Sequence, residues 1–434
     1  MSGNTQLAVF GGPKTVTEGR PHWPYFTDDE IEAVRQCLLR SRENSGEACT
    51  AAGGPTATEL EKRFAVSLGR RHTIATAGGG PALHIACMAA GVGLGDEVIT
   101  TPYSWGQTVS CIPQAGGIPI FADIDPEALT LDPATIEPLV TEFTKAIVVA
   151  DIFGIPADMD AIVDIARRHR LVVIEDCAQA QGSRYKERPV GTRGHFGCFS
   201  IGSGKNIAAG DGGMLVTDDQ ELFEKALLVG MHPARMNREV TIPELKDRID
   251  SLIYTYRING FTAALALQQM ERLDELNTCR RSNYAKLCAA LADVPGIRGQ
   301  ELSHDLDPAW HMMPWTFVAD ELPGVARRQY VKALAAEGVP ISEGYVRTPI
   351  HLRRAFQRKE WWYGKGYPWA ASPRGDEIVY CEGDCPVAER RCAELDMIMG
   401  GGAWWRDVSV LLDQIIEAFK KVTAEPERLR DVEP

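Results

Sequence analysis

Three features of this 434-residue chain predict an α/β fold, with a large, mostly parallel sheet domain and a smaller C-terminal α/β domain. Short β-branched runs, AIVVA at 146–150 and LVVI at 171–174, are too short for helices and apolar enough to be strands buried on both faces. Helical patterns alternate with such runs at the spacing of parallel strands joined by right-handed crossovers. The length also exceeds what a single core usually supports. The expected organisation is an N-terminal arm and helix over 1–50, a large domain over 51–285 and a small domain over 286–434.

The composition, 44% hydrophobic and 24% charged, is that of an ordinary globular protein. A net charge of -13, without a basic stripe carrying interleaved aromatics, argues against nucleic acid as a partner. The N-terminus, MSGNTQLAVFGGPKTV, lacks a basic segment followed by a long apolar one, and no apolar run reaches about 18 residues, so no membrane association and a cytoplasmic location are expected. The eleven cysteines are scattered, mostly within apolar periodic segments, as at Cys87, Cys111 and Cys288, and read as small buried hydrophobes rather than a disulfide framework. Cys381 and Cys385 form the only close pair, and no second pair or histidine couple follows at zinc spacing, so no metal site is expected.

Taken in order, the Pro- and Gly-rich start reads as an arm lying over the body. A helix over 26–40 begins at a capping box, with Thr27 as N-cap and Glu30 three positions on. Gly53, Gly54 and Pro55 make a loop before a helix around 59–68. From His72 follow a short strand, a glycine turn, a helix and a strand ending near Thr101. Free backbone N–H groups at such a helix start can hold a phosphate, which makes Gly79 and Gly80 candidates, although the glycines could equally serve only a tight turn. A strand at 118–124, a helix around 133–140, a strand at 146–152 and a helix over 159–170 lead to the strand that delivers Asp176 to the sheet's carboxyl edge, where ligands of α/β proteins sit. After the strand at 198–201, Lys205 lies among Gly202, Ser203 and Gly204, with Gly210, Gly212 and Gly213 beyond, so the backbone is thin enough for a flat ligand to approach the amine. Residues 231–251 carry four basic and four acidic residues and two prolines with little periodicity, and read as a surface loop or partner-facing excursion. Apolar residues recur at helical spacing from Ala263. The small domain is expected to hold a strand at 315–318, helices over 326–337 and 408–422, and a frayed tail, EPERLRDVEP.

One lysine after one strand is ordinarily a solvated charge. An acid at one strand end with an amine at another suits pyridoxal 5'-phosphate (PLP), which needs a lysine for its aldehyde and an acid for its pyridinium nitrogen. The motifs EDCAQAQG (175–182), FSIGSGKN (199–206) and GDGGMLVT (210–217) resemble the DegT/DnrJ/EryC1/StrS family of PLP-dependent aminotransferases, which aminate keto-sugars and keto-cyclitols. The resemblance implies the fold-type I architecture, like aspartate aminotransferase, and assigns roles. Lys205 would be the covalent anchor and proton carrier and Asp176 the pyridinium partner. Trp105 would stack on the ring, Gln179 would lie beside the phenolic oxygen, and Ser200 with Gly79 and Gly80 would hold the phosphate. Arg257 would reach a partner's phosphate in a homodimer with composite sites, and Tyr345 and His351 would stand near the substrate mouth.

This chain departs from the family at Gly80, where Ser or Thr is usual, at Thr255 for Asn, Gly344 for His and Asp211 for Glu. The aromatic stretch WWYGKGYPW (361–369) could pack in the core or roof a polyol ring. The leading expectation is a ping-pong aminotransferase with glutamate or glutamine as donor, acting in antibiotic, secondary-metabolite or nucleotide-sugar biosynthesis. Sugar dehydration, disfavoured because dehydratase relatives carry histidine in place of the lysine, and aminohydroxybenzoate formation are the enzymatic alternatives; a non-catalytic regulator is the remaining one.

Overall fold

The central sheet runs, edge to edge, through His72–Thr76, Gly213–Thr217, Phe196–Ser200, Val172–Asp176, Thr144–Ala150, Glu97–Thr100 and Ile118–Phe121. The computed structural model describes residues 6–48, 51, 53–361, 364–400 and 404–433. From Ile118–Phe121 to Phe196–Ser200 the strands are parallel, whereas Gly213–Thr217 is antiparallel to both neighbours. Alternate side chains enter different cores: Val148 and Ile174 pack on one face, Ile147, Val149 and Val173 on the other, and all are buried. Two covered faces explain why these strands read as continuous apolar runs. Because the strands are parallel and in register, Asp176 pairs with Ala150 on one side and Cys198 on the other, and their carboxyl ends form one ledge.

Four short antiparallel strands, in the order Ile297–Arg298, Met313–Phe317, Asp396–Met399 and Ile341–Ser342, form a second sheet. Trp315 and Phe419 are fully buried in the core shared with the helices Arg327–Ala336 and Ser409–Thr423. The helix Gly260–Leu291 packs on Asp28–Arg40 and Pro55–Leu68 at one end and on Ser409–Thr423 at the other, running through residue 285 as a spine. Asn259 starts it by accepting the Thr262 backbone N–H at 2.9 Å. The capping box forms: Glu30 Oε2 accepts the Thr27 backbone N–H at 2.7 Å. Its Oε1 accepts from Gln269 and Arg272 on the spine, so one glutamate both caps a helix and docks it.

Some segments differ from expectation. Residues 133–140 form two 3-10 turns, Pro133–Thr135 and Glu137–Leu139, rather than a helix. Pro138 lacks an N–H and so cannot donate the bond to residue 134 that a continuous α-helix would need. Residues 231–251 contain the helices Pro233–Glu239 and Pro243–Lys246, and Met231, Met236, Val240 and Leu245 are buried in the large domain's core. The tail is docked, not frayed: Leu429 and Val432 are buried, and Gln329 Nε2 donates to the carbonyls of Arg430 and Val432 at 3.0 and 2.9 Å. The N-terminal arm does lie over the body, with Leu7 and Val16 buried and Glu337 accepting from the Ala8 N–H at 2.8 Å. Cysteines among the described residues are free and mostly buried. No described helix is long and apolar enough to cross a membrane.

Candidate active site

At the carboxyl ledge of the large sheet lies a cavity of about 590 Å³, lined by Gly79, Gly80, Trp105, Asp176, Gln179, Ser200, Lys205 and Tyr345 among others. Asp176 ends its strand and is buried. Its Oδ2 accepts the Thr108 hydroxyl at 2.7 Å and its Oδ1 the Ala178 N–H at 3.1 Å. Burial pushes this carboxyl above the ordinary range, against the pull of the two hydrogen bonds and of Lys205's charge. Lys205 is the counterpart: burial pushes its amine below the ordinary lysine value, and Asp176 opposes the shift. The site therefore holds a nucleophilic amine and a buried acid in one electrostatic pair.

The lysine loop is pinned from several sides. Trp23, from the N-terminal arm, donates Nε1–H to the Lys205 carbonyl at 3.2 Å. The Lys205 N–H bonds Gly202 O at 2.8 Å. Asn206 Nδ2 donates to Asn277 on the spine helix and to the Ala309 carbonyl. The opposite wall is the start of helix Gly79–Ala89, seated against the strand end at Ser200. A Cβ on Gly79 would stand 2.8 Å from Ser200 Cβ, so glycine is required there by close approach.

Trp105 forms an open face of the cavity, 57% exposed, with its ring centroid 6.2 Å from that of Tyr345. Gln179 is buried, with Oε1 held by the Phe153 N–H at 2.8 Å and Nε2 directed to the Tyr345 hydroxyl at 3.4 Å. Two predicted residues do not join this group. His351 is 0% exposed, bonds Glu389 through Nε2 at 3.0 Å and packs near Phe121 of the large sheet, and it does not line the cavity, so its expected place at the substrate mouth is corrected to the buried interior between Glu389 and that sheet. Arg257 sits half-buried beside its own strand end, where it bridges Thr76, and it does not line the cavity. Thr255, two residues earlier, has φ 42°, a left-handed conformation that asparagine adopts more readily than threonine. Of the aromatic stretch, Trp369 is buried and donates to the Tyr380 hydroxyl at 3.0 Å, while Trp362 and Tyr363 lie outside the described residues.

Sequence reasoning missed Trp23, Gln107, Thr108 and His311, all of which line the cavity. Thr108 follows Trp105 by about one helical turn, a spacing that could have signalled it. Trp23 carries no local signal, because its partners, Lys205, Trp405 and Arg280, are remote in sequence. His311 is buried, and desolvation followed by the charges of Lys205 and Arg280 pushes its imidazole well below the ordinary value, so it is neutral. Among the described residues Asp151, Glu175 and Cys177 form a buried acid–thiol cluster. Glu175 is spent on the N–H groups of Gly191, Arg193 and Gly194, a structural role.

Residues 25–372 match the DegT/DnrJ/EryC1/StrS aminotransferase family. The chain is 36% identical over 369 residues to an L-glutamine:2-deoxy-scyllo-inosose aminotransferase of Micromonospora echinospora, covering 81% of this chain and 84% of that one. It is 32% identical over 394 residues to the protein of the same name from Streptoalloteichus tenebrarius, covering 87% and 90%. Among solved structures, an aminotransferase from Psychrobacter cryohalolentis superposes with a TM-score of 0.80 at 26% identity, covering 94% of this chain and 100% of that one.

Proposed function

The chain belongs to the DegT/DnrJ/EryC1/StrS aminotransferase family, and from that premise we propose that it moves the amino group of L-glutamine or L-glutamate to a ketone on a cyclitol or sugar ring, using PLP. The observation that carries this reading is the Lys205–Asp176 pair within one cavity, with an indole face on one wall and the Gly79–Ser200 contact on another. The residues present fit the cofactor. Lys205 would bind its aldehyde, Asp176 its ring nitrogen, Trp105 its face, Gln179 its phenolic edge, and Ser200 with the N–H groups of Gly79 and Gly80 its phosphate.

When bound, PLP supplies an electron sink for charge developing at the donor's α-carbon. The protein's own contribution is positional and acid–base. Asp176, fixed by Thr108 and Ala178, would supply the negative charge that a protonated ring nitrogen needs. Lys205 Nζ, unprotonated more readily than an exposed lysine because it is buried, takes the proton from the donor's α-carbon and later returns one to the acceptor's ring carbon. His311, kept neutral by burial, and Met312 complete the cavity lining.

L-Glutamine and a keto-cyclitol are favoured because the relatives from Micromonospora and Streptoalloteichus carry those substrates in their names. A symmetric homodimer with composite sites forms part of the proposal. Leu252, 91% exposed, and Tyr254, 48% exposed, precede Arg257 on a surface suited to burial against a second copy. The test is a pair of half-reactions. PLP-loaded protein given L-glutamine should release the matching 2-oxo acid stoichiometrically, and 2-deoxy-scyllo-inosose should then be aminated. Failure of every amino donor to yield a 2-oxo acid would refute the proposal.

A further inference from the structure

The phosphate end of the cavity is short of donors from its own subunit. Helix Gly79–Ala89 would normally offer several free N–H groups at its start, but Pro81 has none, and the Ala82 N–H is spent on Gly78 O at 3.1 Å. Gly79 and Gly80 remain, with the Ser200 hydroxyl. Among the described residues Lys205, committed to the aldehyde, is the only lysine or arginine lining the cavity. Even with Arg257 of the partner subunit at the phosphate, as proposed above, the position that a hydroxyl on residue 80 would fill lacks a side-chain donor from residue 80 itself.

Gln107 stands where another donor is needed. The space that a Cβ on Gly80 would occupy is bordered by Gln107 Cγ at 3.3 Å and Gln107 Nε2 at 3.6 Å. Gln107 Oε1 accepts the Trp105 indole N–H, which fixes the amide's orientation and leaves Nε2 as the end beside Gly80. The missing side chain at 80 and the long side chain at 107 thus fill one volume. Resting on the PLP reading above, we propose that Gln107 is a phosphate-positioning residue: its Nε2–H donates to the cofactor's phosphate, in the place that a hydroxyl on residue 80 would otherwise take. The same contact ties Trp105 to the phosphate end, so ring stacking and phosphate binding are coupled through one side chain.

The experiment compares the affinity of the apoprotein for PLP with its affinity for pyridoxal, which lacks the phosphate. In Gln107→Ala the ratio of the two dissociation constants should shift against PLP by roughly 10- to 100-fold, the effect of one charge-assisted hydrogen bond. Gln107→Glu, nearly the same shape but anionic, should shift it further. Adding Gly80→Ser to Gln107→Ala should restore the ratio, because position 80 has no positive φ and the vacated space admits the hydroxyl. Equal weakening for both ligands, no change in the ratio, or no recovery with serine would overturn the assignment. If wild-type protein bound neither aldehyde, the PLP reading itself would fail. If it bound both, and Gln107→Ala left their ratio intact, only the role of Gln107 would.

Discussion

Replacing Gly79 with alanine tests whether the cavity depends on two elements meeting at one point. The added methyl would lie 2.8 Å from Ser200 Cβ, 3.3 Å from its Cα and 3.4 Å from its backbone nitrogen. Carbon atoms in contact normally sit about 3.5–4.0 Å apart, and strand backbone cannot rotate aside as a side chain can. Overpacking of this kind costs about 1–3 kcal/mol. Alanine recovers up to about 1 kcal/mol in a helix interior and less at its first residue. A net loss of about 1–2 kcal/mol is expected. Moving the helix start from Ser200 also separates the donors of one phosphate site, so PLP affinity should fall about tenfold or more. Gly19→Ala is the control: it lies outside the cavity, nothing lies within 4 Å of the added methyl, and the residue has no positive φ. Urea unfolding of the apoprotein and PLP titration of both variants give the answer. Equal stability and affinity in the two variants would refute the close-approach argument.

Asp176→Asn should fold and bind PLP but slow amino transfer by orders of magnitude, since the ring nitrogen loses its charged partner; turnover near wild type would remove Asp176 from that role. The apoprotein's reaction rate with pyridoxal should rise with pH to a midpoint below that of an ordinary lysine, because burial lowers Lys205. Asp176→Asn should move that midpoint lower still, because the Asp176 charge favours the protonated amine; an upward move would contradict the pairing. Mixing Lys205→Ala subunits with Arg257→Ala subunits should restore activity to a fraction of mixed dimers. If each variant is inactive and dimeric alone and proven mixed dimers recover nothing, Arg257 serves its own chain.

The large sheet was legible because strands buried on both faces write their burial into consecutive residues, as at 146–150 and 171–174. Lys205, Asp176, Gln179 and Ser200 were legible because each sits at a strand end or the adjoining turn, within motifs only a few residues long. What escaped depended on distant partners. Helices within 231–251 are a turn or two long and interrupted by Pro243, so their buried side chains never build a periodic pattern. The docked tail is held by Gln329, far away in sequence. His351 stands next to mouth residues in sequence, yet its partner Glu389 draws it into the core. Trp23 reaches the lysine loop from a Pro- and Gly-rich arm without periodicity, and no local rule places it there.

The central claim, that this is a PLP aminotransferase whose chemistry runs through one buried amine, is tested most directly by reducing PLP-loaded protein with borohydride and mapping the modified peptide. The account predicts a single pyridoxyl group on Lys205, and its absence from protein first converted by an amino donor, which frees the lysine. A pyridoxyl group on another lysine, or an unchanged yield after the donor, would contradict it.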